Sequence, residues 1–371
     1  MSTNTTIKVP LLDLRAQYDT IRTEVDAAVQ GVMESCHFIG GPEVSALEQE
    51  VARYSQTAHA VACASGTDAI LLALWTLGIG PGDEVICPAY TFFATAGTIA
   101  NNGATPVFVD VDPKTYNMDT HLLEAAITPR TKAVVAVSLF GQCCDMPTIK
   151  AICDKHQLFL IEDAAQSIGS EWEGKRSGSM SDFGTFSFFP SKNLGGFGDG
   201  GAIVTNRDDV AEMARMLRFH GSRDKVDYEM VGCNSRLDEL QAAVIRIFLR
   251  HVDGWNDGRR AAAAAYEAAG LGEVMTLPAE REGAHHIYHL YMARHADRAS
   301  VSAALKERGI ASAVYYGIPM HLQPVFAHLG YKPGDLPVAE TCADTALALP
   351  MHPHLTEEQV ASVVDAVRSA D

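Results

Sequence analysis

The stretch Phe186 to Gly201, FSFFPSKNLGGFGDGG, sets a single lysine among aromatic and glycine residues. Glycine lets backbone approach a ligand closely, and an apolar setting strips water from an amine, lowering its pKa toward the nucleophilic range. Lys192 is therefore the candidate nucleophile, although a loop lysine taken alone is ordinarily a solvated surface group. Within the same stretch, Gly196-x-Gly198-x-x-Gly201 has the spacing of a dinucleotide fingerprint. That fingerprint follows a strand and opens a helix, whereas these glycines lead into Ala202-Ile203-Val204, which reads as a strand. The nicotinamide and flavin readings are set aside on that ground.

Strand-like runs recur on both sides: Ala60–Cys63, Glu84–Cys87, Pro106–Val109, Ala133–Ser138, Leu158–Ile161, Gly184–Phe188 and Ala202–Val204. Helical stretches separate them, with apolar spacing such as Ile21, Val25, Val29, Val32 and then Val44, Leu47, Val51, Tyr54. This alternation predicts an α/β fold in which a mostly parallel seven-stranded sheet is covered by helices. After Val204 the pattern changes to a long helix from about Ser235 to Trp255, an alanine-rich helix at Arg260–Ala269 and a smaller α/β region. A length of 371 residues suits two domains, divided here as 1–254 and 255–371.

Composition removes several function classes. Lys and Arg number 29 against 46 Asp and Glu, a formal net charge of −17, which is the wrong sign for neutralising nucleic-acid phosphates or an anionic membrane. No apolar run reaches the ~18 residues of a spanning helix, and the first residues lack the basic-then-apolar pattern of a secretion signal. A cytoplasmic protein is expected. The eight cysteines show no CxxC spacing, so neither a disulfide framework nor a metal site is indicated.

Three further segments carry chemistry. The apolar run Leu158–Ile161 is followed at once by Glu162-Asp163-Ala164-Ala165-Gln166. In open α/β sheets ligands lie beyond the carboxyl ends of strands, where a carboxylate such as Asp163 holds a proton on a ring nitrogen; the bland alternative is a helix N-cap. Ala64-Ser65-Gly66-Thr67-Asp68 opens an apolar helix, and Gly66 and Thr67 there offer backbone N–H groups to a phosphate. Tyr90-Thr91-Phe92-Phe93 brings an aromatic side chain to the edge of the same crevice. A ring nitrogen to protonate, a face to stack on, a phosphate to anchor and an aldehyde for a lysine together describe pyridoxal 5′-phosphate (PLP).

With these residues in place, the chain resembles the DegT/DnrJ/EryC1/StrS group of PLP-dependent nucleotide-sugar aminotransferases, which have the type I fold of aspartate aminotransferase. The resemblance runs from Leu11-Leu12-Asp13-Leu14 to LALPMHPHLTEEQV near the end, and its most specific strings are SKNLG followed by GDGG, and EDAAQ. It implies that Lys192 forms the Schiff base with the cofactor and that Asp163 partners the pyridinium nitrogen. It further implies that Gln166 lies near the ring or its phenolic oxygen, that Ser187 joins Gly66 and Thr67 at the phosphate, and that Phe92 stacks. Asn234 matches an asparagine that reaches the phosphate of a neighbouring subunit, which implies a homodimer with shared sites. Arg236, Tyr316 and His321 are expected at the substrate end.

The resemblance implies a ping-pong cycle in which L-glutamate leaves its amino group as pyridoxamine 5′-phosphate and a keto-sugar on a nucleoside diphosphate then receives it. VSLFGQ (137–142) and PAYTFFATAGTI (88–99) resemble enzymes acting at carbon 3 on UDP- or dTDP-sugars, including those making 3-amino uronic acids. Amination at carbon 4 and amination of a keto-inositol are the alternatives. A keto-sugar dehydratase would carry histidine in place of Lys192, and a PLP-binding regulator would bring an added DNA-binding segment.

Overall fold

The structure, a computed structural model, describes residues 8–370. Strands β1 (His59–Cys63), β2 (Glu84–Pro88), β3 (Thr105–Val109), β4 (Thr131–Val137) and β5 (Phe159–Asp163) come first. A short hairpin of β6 (Glu171–Trp172) and β7 (Lys175–Arg176) follows, and then β8 (Phe183–Ser187) and β9 (Gly201–Thr205). The main sheet has the order β1-β9-β8-β5-β4-β2-β3, seven strands as expected. All its pairings are parallel except those of β9, which runs antiparallel to both β8 and β1.

Side chains alternate across this sheet and both faces are buried, as a sheet covered by helices requires. Val61, Cys63, Val135, Val137 and Ile161 join one core, packed with the helix Gly66–Thr76. Ala60, Ala62, Phe186 and Val204 face the other way, toward the helices Leu14–Ser35 and Pro42–Tyr54. Of the expected stripes, Ile21, Val25, Val32, Val44, Leu47 and Val51 are buried, while Val29 and Tyr54 are half-buried and pack against the same core.

The C-terminal part adds β10 (Ala284–His285), paired with β6, and the two-stranded β11 (Tyr291–Arg294) and β12 (Ala346–Leu349). One expectation is corrected here. The two helices read at Ser235–Trp255 and Arg260–Ala269 are a single helix, Glu239–Ala268. Gly254, Asn256, Asp257 and Gly258 are poor helix formers and suggest a break, but tertiary packing overrides them. Trp255, Asn256 and Arg259 are buried, and Arg259 donates to the carbonyls of His289 at 3.2 Å and Met351 at 3.0 Å. Gly258 serves contact rather than a turn, since a Cβ there would lie 2.8 Å from the Pro353 carbonyl oxygen.

The expected division at Gly254 thus falls inside a helix. Val244, Ile245 and Phe248 in its first half pack with the N-terminal helices. Ala262, Ala263 and Tyr266 in its second half join β11, β12 and the helix Glu357–Arg368.

Gly184 in β8 is a point of close packing, because an added Cβ would sit 2.3 Å from Cα of Gly178 and 2.8 Å from a Val204 methyl. Neither backbone nor strand can retreat, so Gly184→Ala is expected to lower stability by about 2 kcal/mol, the usual cost of overpacking. Denaturant unfolding of the two proteins checks this, and an unchanged midpoint would contradict it.

Candidate active site

The carboxyl ends of the parallel strands form one edge. Val137 of β4 pairs with Asp163 of β5, and Asp163 with Thr185 of β8. Farther along, Ser187 pairs with Gly201 of β9, and Gly201 with Cys63 of β1. A cavity of about 540 Å³ opens on this edge, where ligands of open α/β sheets bind.

Asp163 ends β5 with its side chain buried. Thr95 Oγ1 donates to Oδ2 at 2.7 Å, and the backbone N–H of Ala165 donates to Oδ1 at 3.2 Å. Burial nevertheless wins and pushes the carboxyl above its ordinary pKa, while those hydrogen bonds and the charge of Lys192 oppose the shift. A cation beside Asp163 would remove this cost.

Lys192 arrives on the loop 188–200 between β8 and β9. The loop folds back on itself: Phe188 N–H donates to Gly200 O at 2.8 Å and Gly196 N–H to Phe188 O at 2.7 Å. Gly195 is required for this, since a Cβ would meet the Pro190 carbonyl oxygen at 2.6 Å. Burial brings the Lys192 amine down to about 8, with the Asp163 carboxylate pulling the other way. The desolvation expected from the sequence is what lowers it.

A cradle for an anion lies at the start of the helix Gly66–Thr76. Ser65 caps this helix, its Oγ accepting from Asp68 N–H at 3.0 Å, which leaves the first N–H groups free to point at a ligand. A Cβ on Gly66 would come within 2.8 Å of Ser187 Cβ, and one on Gly201 within 2.4 Å of the Ser65 carbonyl carbon. The glycines thus let Ser187 and the helix start close on one point.

Tyr316 forms the opposite wall. Gln166 Nε2 donates to its hydroxyl at 3.1 Å, while Gln166 Oε1 accepts from Phe140 N–H at 2.8 Å. Tyr316 packs against Phe92 at 5.9 Å between ring centroids and against Phe140 at 6.4 Å, and its N–H donates to Tyr90 Oη at 3.1 Å. Phe92 itself is 54 % exposed, so one of its sides is open.

Of the residues singled out from the sequence, Gly66, Thr67, Phe92, Asp163, Gln166, Ser187, Lys192 and Tyr316 line this cavity. His321 does not. It is buried elsewhere, with Nε2 3.1 Å from Glu340 Oε1 and its ring edge-on to Tyr331. The expectation that it lines the substrate end is corrected accordingly: its 3₁₀ turn, Met320–Leu322, packs into the interior. Asn234 and Arg236 also lie outside the lining of the chain's own cavity; Asn234 is exposed, and Arg236 stands over the Phe219 ring. Sequence reasoning missed Thr95, His289 and Met351, none of which belongs to a motif near Lys192 or Asp163.

Comparison with known proteins identifies the arrangement. The profile of the DegT/DnrJ/EryC1/StrS aminotransferase family matches residues 19–368. The chain belongs to this family. It is 49 % identical to the "Pleiotropic regulatory protein" of Geobacillus stearothermophilus, over 97 % of this chain and 98 % of that one. It is 48 % identical to the UDP-N-acetyl-3-dehydro-alpha-D-glucosamine 3-aminotransferase of Acidithiobacillus ferrooxidans, over 99 % of both chains. It is 46 % identical to the dTDP-3-amino-3,4,6-trideoxy-alpha-D-glucose transaminase of Streptomyces venezuelae, over 98 % and 96 %. The crystal structure of DesV from S. venezuelae superposes with a TM-score of 0.96 at 45 % identity, covering 98 % of each chain. NtdA from Bacillus subtilis, crystallised with the cofactor PMP, superposes with 0.88 at 32 % identity over 95 % and 82 %.

The protein is thus an aminotransferase of this family, with the PLP-dependent type I fold, and PLP is its cofactor. The residues fit that group: a buried carboxylate for a ring nitrogen, an amine near neutral pKa for an aldehyde, and a glycine-lined cradle for a phosphate. Among the described residues no cluster of His, Cys, Asp and Glu is arranged to hold a metal ion, and no helix is long and apolar enough to cross a membrane.

The lowered Lys192 has a signed consequence. Its pKa falls from 10.5 unfolded to about 8 folded, so below 8 the charged amine is carried into the fold at a cost in stability. Between 8 and 10.5 the folded protein sheds that proton before the unfolded chain does, and stability rises with pH. In cofactor-free protein, Lys192→Met is therefore expected to be stabilising at pH 7, with the gain shrinking as pH rises from 8 to 10.5. Denaturant melts across that range read the difference directly, and a gain that stays constant would contradict it.

Proposed function

We propose that this aminotransferase moves an amino group from L-glutamate to carbon 3 of a keto-sugar carried on UDP or dTDP, in amino-sugar biosynthesis. The observation that carries the aminotransfer is the convergence of Lys192 and Asp163 on one cavity at the strand ends. Support for the sugar and its position comes from relatives over 45 % identical along almost the whole chain, whose names specify 3-amino or 3-dehydro sugars on dTDP or UDP.

PLP, when bound, supplies an aldehyde that condenses with an amine and a ring that takes up an electron pair. The chain does the rest. Ser187 with the N–H groups of Gly66 and Thr67 would hold the phosphate, and Phe92 would border the ring. Asp163 would accept the ring N–H, and Thr95 and Ala165 fix its two oxygens so that the charge costs no reorganisation. Lys192, when its amine is free in the cavity, would be the base whose Nζ takes up the donor's α-proton and gives it back. The second half runs the same proton transfer in reverse on the keto-sugar.

We extend the proposal to a cytoplasmic homodimer with shared sites. Among the described residues Lys192 is the only cationic side chain lining the cavity, too little charge for a phosphate and a nucleoside diphosphate together. Exposed Asn234 and half-buried Arg236 are suited to supply the rest across a subunit interface, and Phe189, Phe197 and Val231 are exposed apolar side chains available to such an interface. All eight cysteines are free thiols, in keeping with a reducing compartment.

The test adds L-glutamate to the purified enzyme and follows the cofactor's absorbance. Conversion from the aldehyde form to the amine form is expected, with 2-oxoglutarate released in equal amount, and Lys192→Ala abolishes both. UDP- and dTDP-linked 3-keto and 4-keto sugars are then offered and the products read by NMR. An amino group found only on carbon 4 overturns the positional assignment.

Shared sites are tested by mixing two inactive variants. Dimers of Lys192→Ala and of Arg236→Ala are unfolded, combined and refolded together. Hybrid dimers then contain one site with both residues intact, so activity is expected to return to about a quarter of the wild-type level by random pairing. No recovery would show that each site is built from one chain.

A further inference from the structure

A chain of buried hydrogen bonds fixes which nitrogen of His289 carries the proton. It starts at the backbone carbonyl of Ile168, which is only able to accept. Asn256 Nδ2 donates to it at 3.3 Å, so Asn256 Oδ1 faces away. Asn193 Nδ2 donates to that oxygen at 2.7 Å, leaving Asn193 Oδ1 as an acceptor. His289 Nδ1 lies 2.9 Å from Asn193 Oδ1 and is therefore the donor. Asn256, Asn193 and His289 are 2 %, 4 % and 6 % exposed, so bulk water does not reset the relay. Gly169, at φ +92°, lets it pack, since a Cβ there would lie 2.6 Å from Asn256 Nδ2.

With the proton on Nδ1, Nε2 holds a lone pair. His289 lines the cavity that Lys192 also lines. Nδ1 is used by Asn193, whereas Nε2 makes no hydrogen bond among the described residues and is not among their buried unpaired atoms, which leaves it open to the cavity. The charged groups around the ring are Lys192 and Arg259, both cations. Together with burial they hold His289 well below the usual histidine range and keep a second proton off Nε2.

We propose that His289 is a positioning residue for Lys192: a neutral imidazole whose Nε2 accepts a hydrogen bond from the lysine Nζ when that amine is free, holding it at the cavity for proton transfer. The Ile168 carbonyl, three hydrogen bonds away, sets the tautomer. This applies to the half of the cycle in which the cofactor carries the amino group and Lys192 is unbound.

The test uses the enzyme loaded directly with pyridoxamine 5′-phosphate, so that it does not depend on the donor being glutamate. The pKa of Lys192 is measured by competitive acetylation over a pH series, with mass spectrometry of its peptide. His289→Phe removes the acceptor; His289→Asn keeps an amide N–H for Asn193, so the relay and the fold are preserved, and its shorter side chain leaves no acceptor at the position of Nε2. Loss of a neutral acceptor disfavours the ammonium, and the lysine pKa is expected to fall by about one unit in both variants. A protonated histidine would give the opposite sign, because its removal relieves repulsion. A rise, or no change, overturns the proposal. In the wild type, ¹⁵N-histidine NMR is expected to show His289 as the Nδ1–H tautomer at neutral pH, and the Nε2–H tautomer would refute the assignment whatever the variants do.

Discussion

The loop 188–200 has to return the chain from β8 into an antiparallel β9 without leaving the carboxyl edge of the sheet. Parallel neighbours need a crossover, usually a helix; β8 and β9 do without one because β9 reverses. The loop is consequently pinned over the strand ends by its own backbone bonds, Phe188 to Gly200 and Gly196 to Phe188. That constraint puts Lys192 against the end of β5; Gly195 and Gly201 are required because backbone passes so close there, and Gly200 because the Leu237 side chain does. The reversed strand and the placement of Lys192 have one cause.

Desolvation is then turned to use at the strand ends. Glu162 and Asp163 are consecutive, so they point to opposite faces of the sheet, and both are buried and pushed up in pKa by burial. Glu162 is nearly saturated: Ser138 and Ser177 hydroxyls donate to Oε1 at 2.6 and 2.8 Å, and Gly178 N–H to Oε2 at 2.7 Å. It serves structure, tying β5 to the loop ahead of β8. Asp163 has only Thr95 and Ala165, and the remainder of its demand for positive charge is left open toward the cavity. Two carboxylates one residue apart thus differ in role through the partners each face supplies, as expected where a pKa is tuned by environment.

Much of the site was legible in the sequence because each group sits on a local signal. A carboxylate at the end of an apolar strand, glycine and threonine at a helix start, and a lysine in a glycine-rich loop are short-range patterns, and Asp163, Gly66, Thr67 and Lys192 all line the cavity. His321 failed because a turn of polar and apolar residues does not announce which way it packs; the pairing with Glu340, 19 positions away, turned it inward. The helix Glu239–Ala268 failed for a related reason. Its glycines at 254 and 258 look like breakers, yet Gly258 is there so that the helix can touch Pro353.

The sequence by itself determined the alternation of strands and helices and the two-sided burial of the sheet, and it singled out Lys192 and Asp163, which line one cavity. These follow from periodicity and from the residue next door, which a linear chain displays. Only the tertiary structure decided that Thr95 braces Asp163 across 68 residues and that Asn193 orients His289 across 96. Hydrogen bonds of that span depend on direction as well as proximity, and direction is set when the two segments are packed. A residue's partner was written in the sequence where the partner was near, and in the fold where it was far.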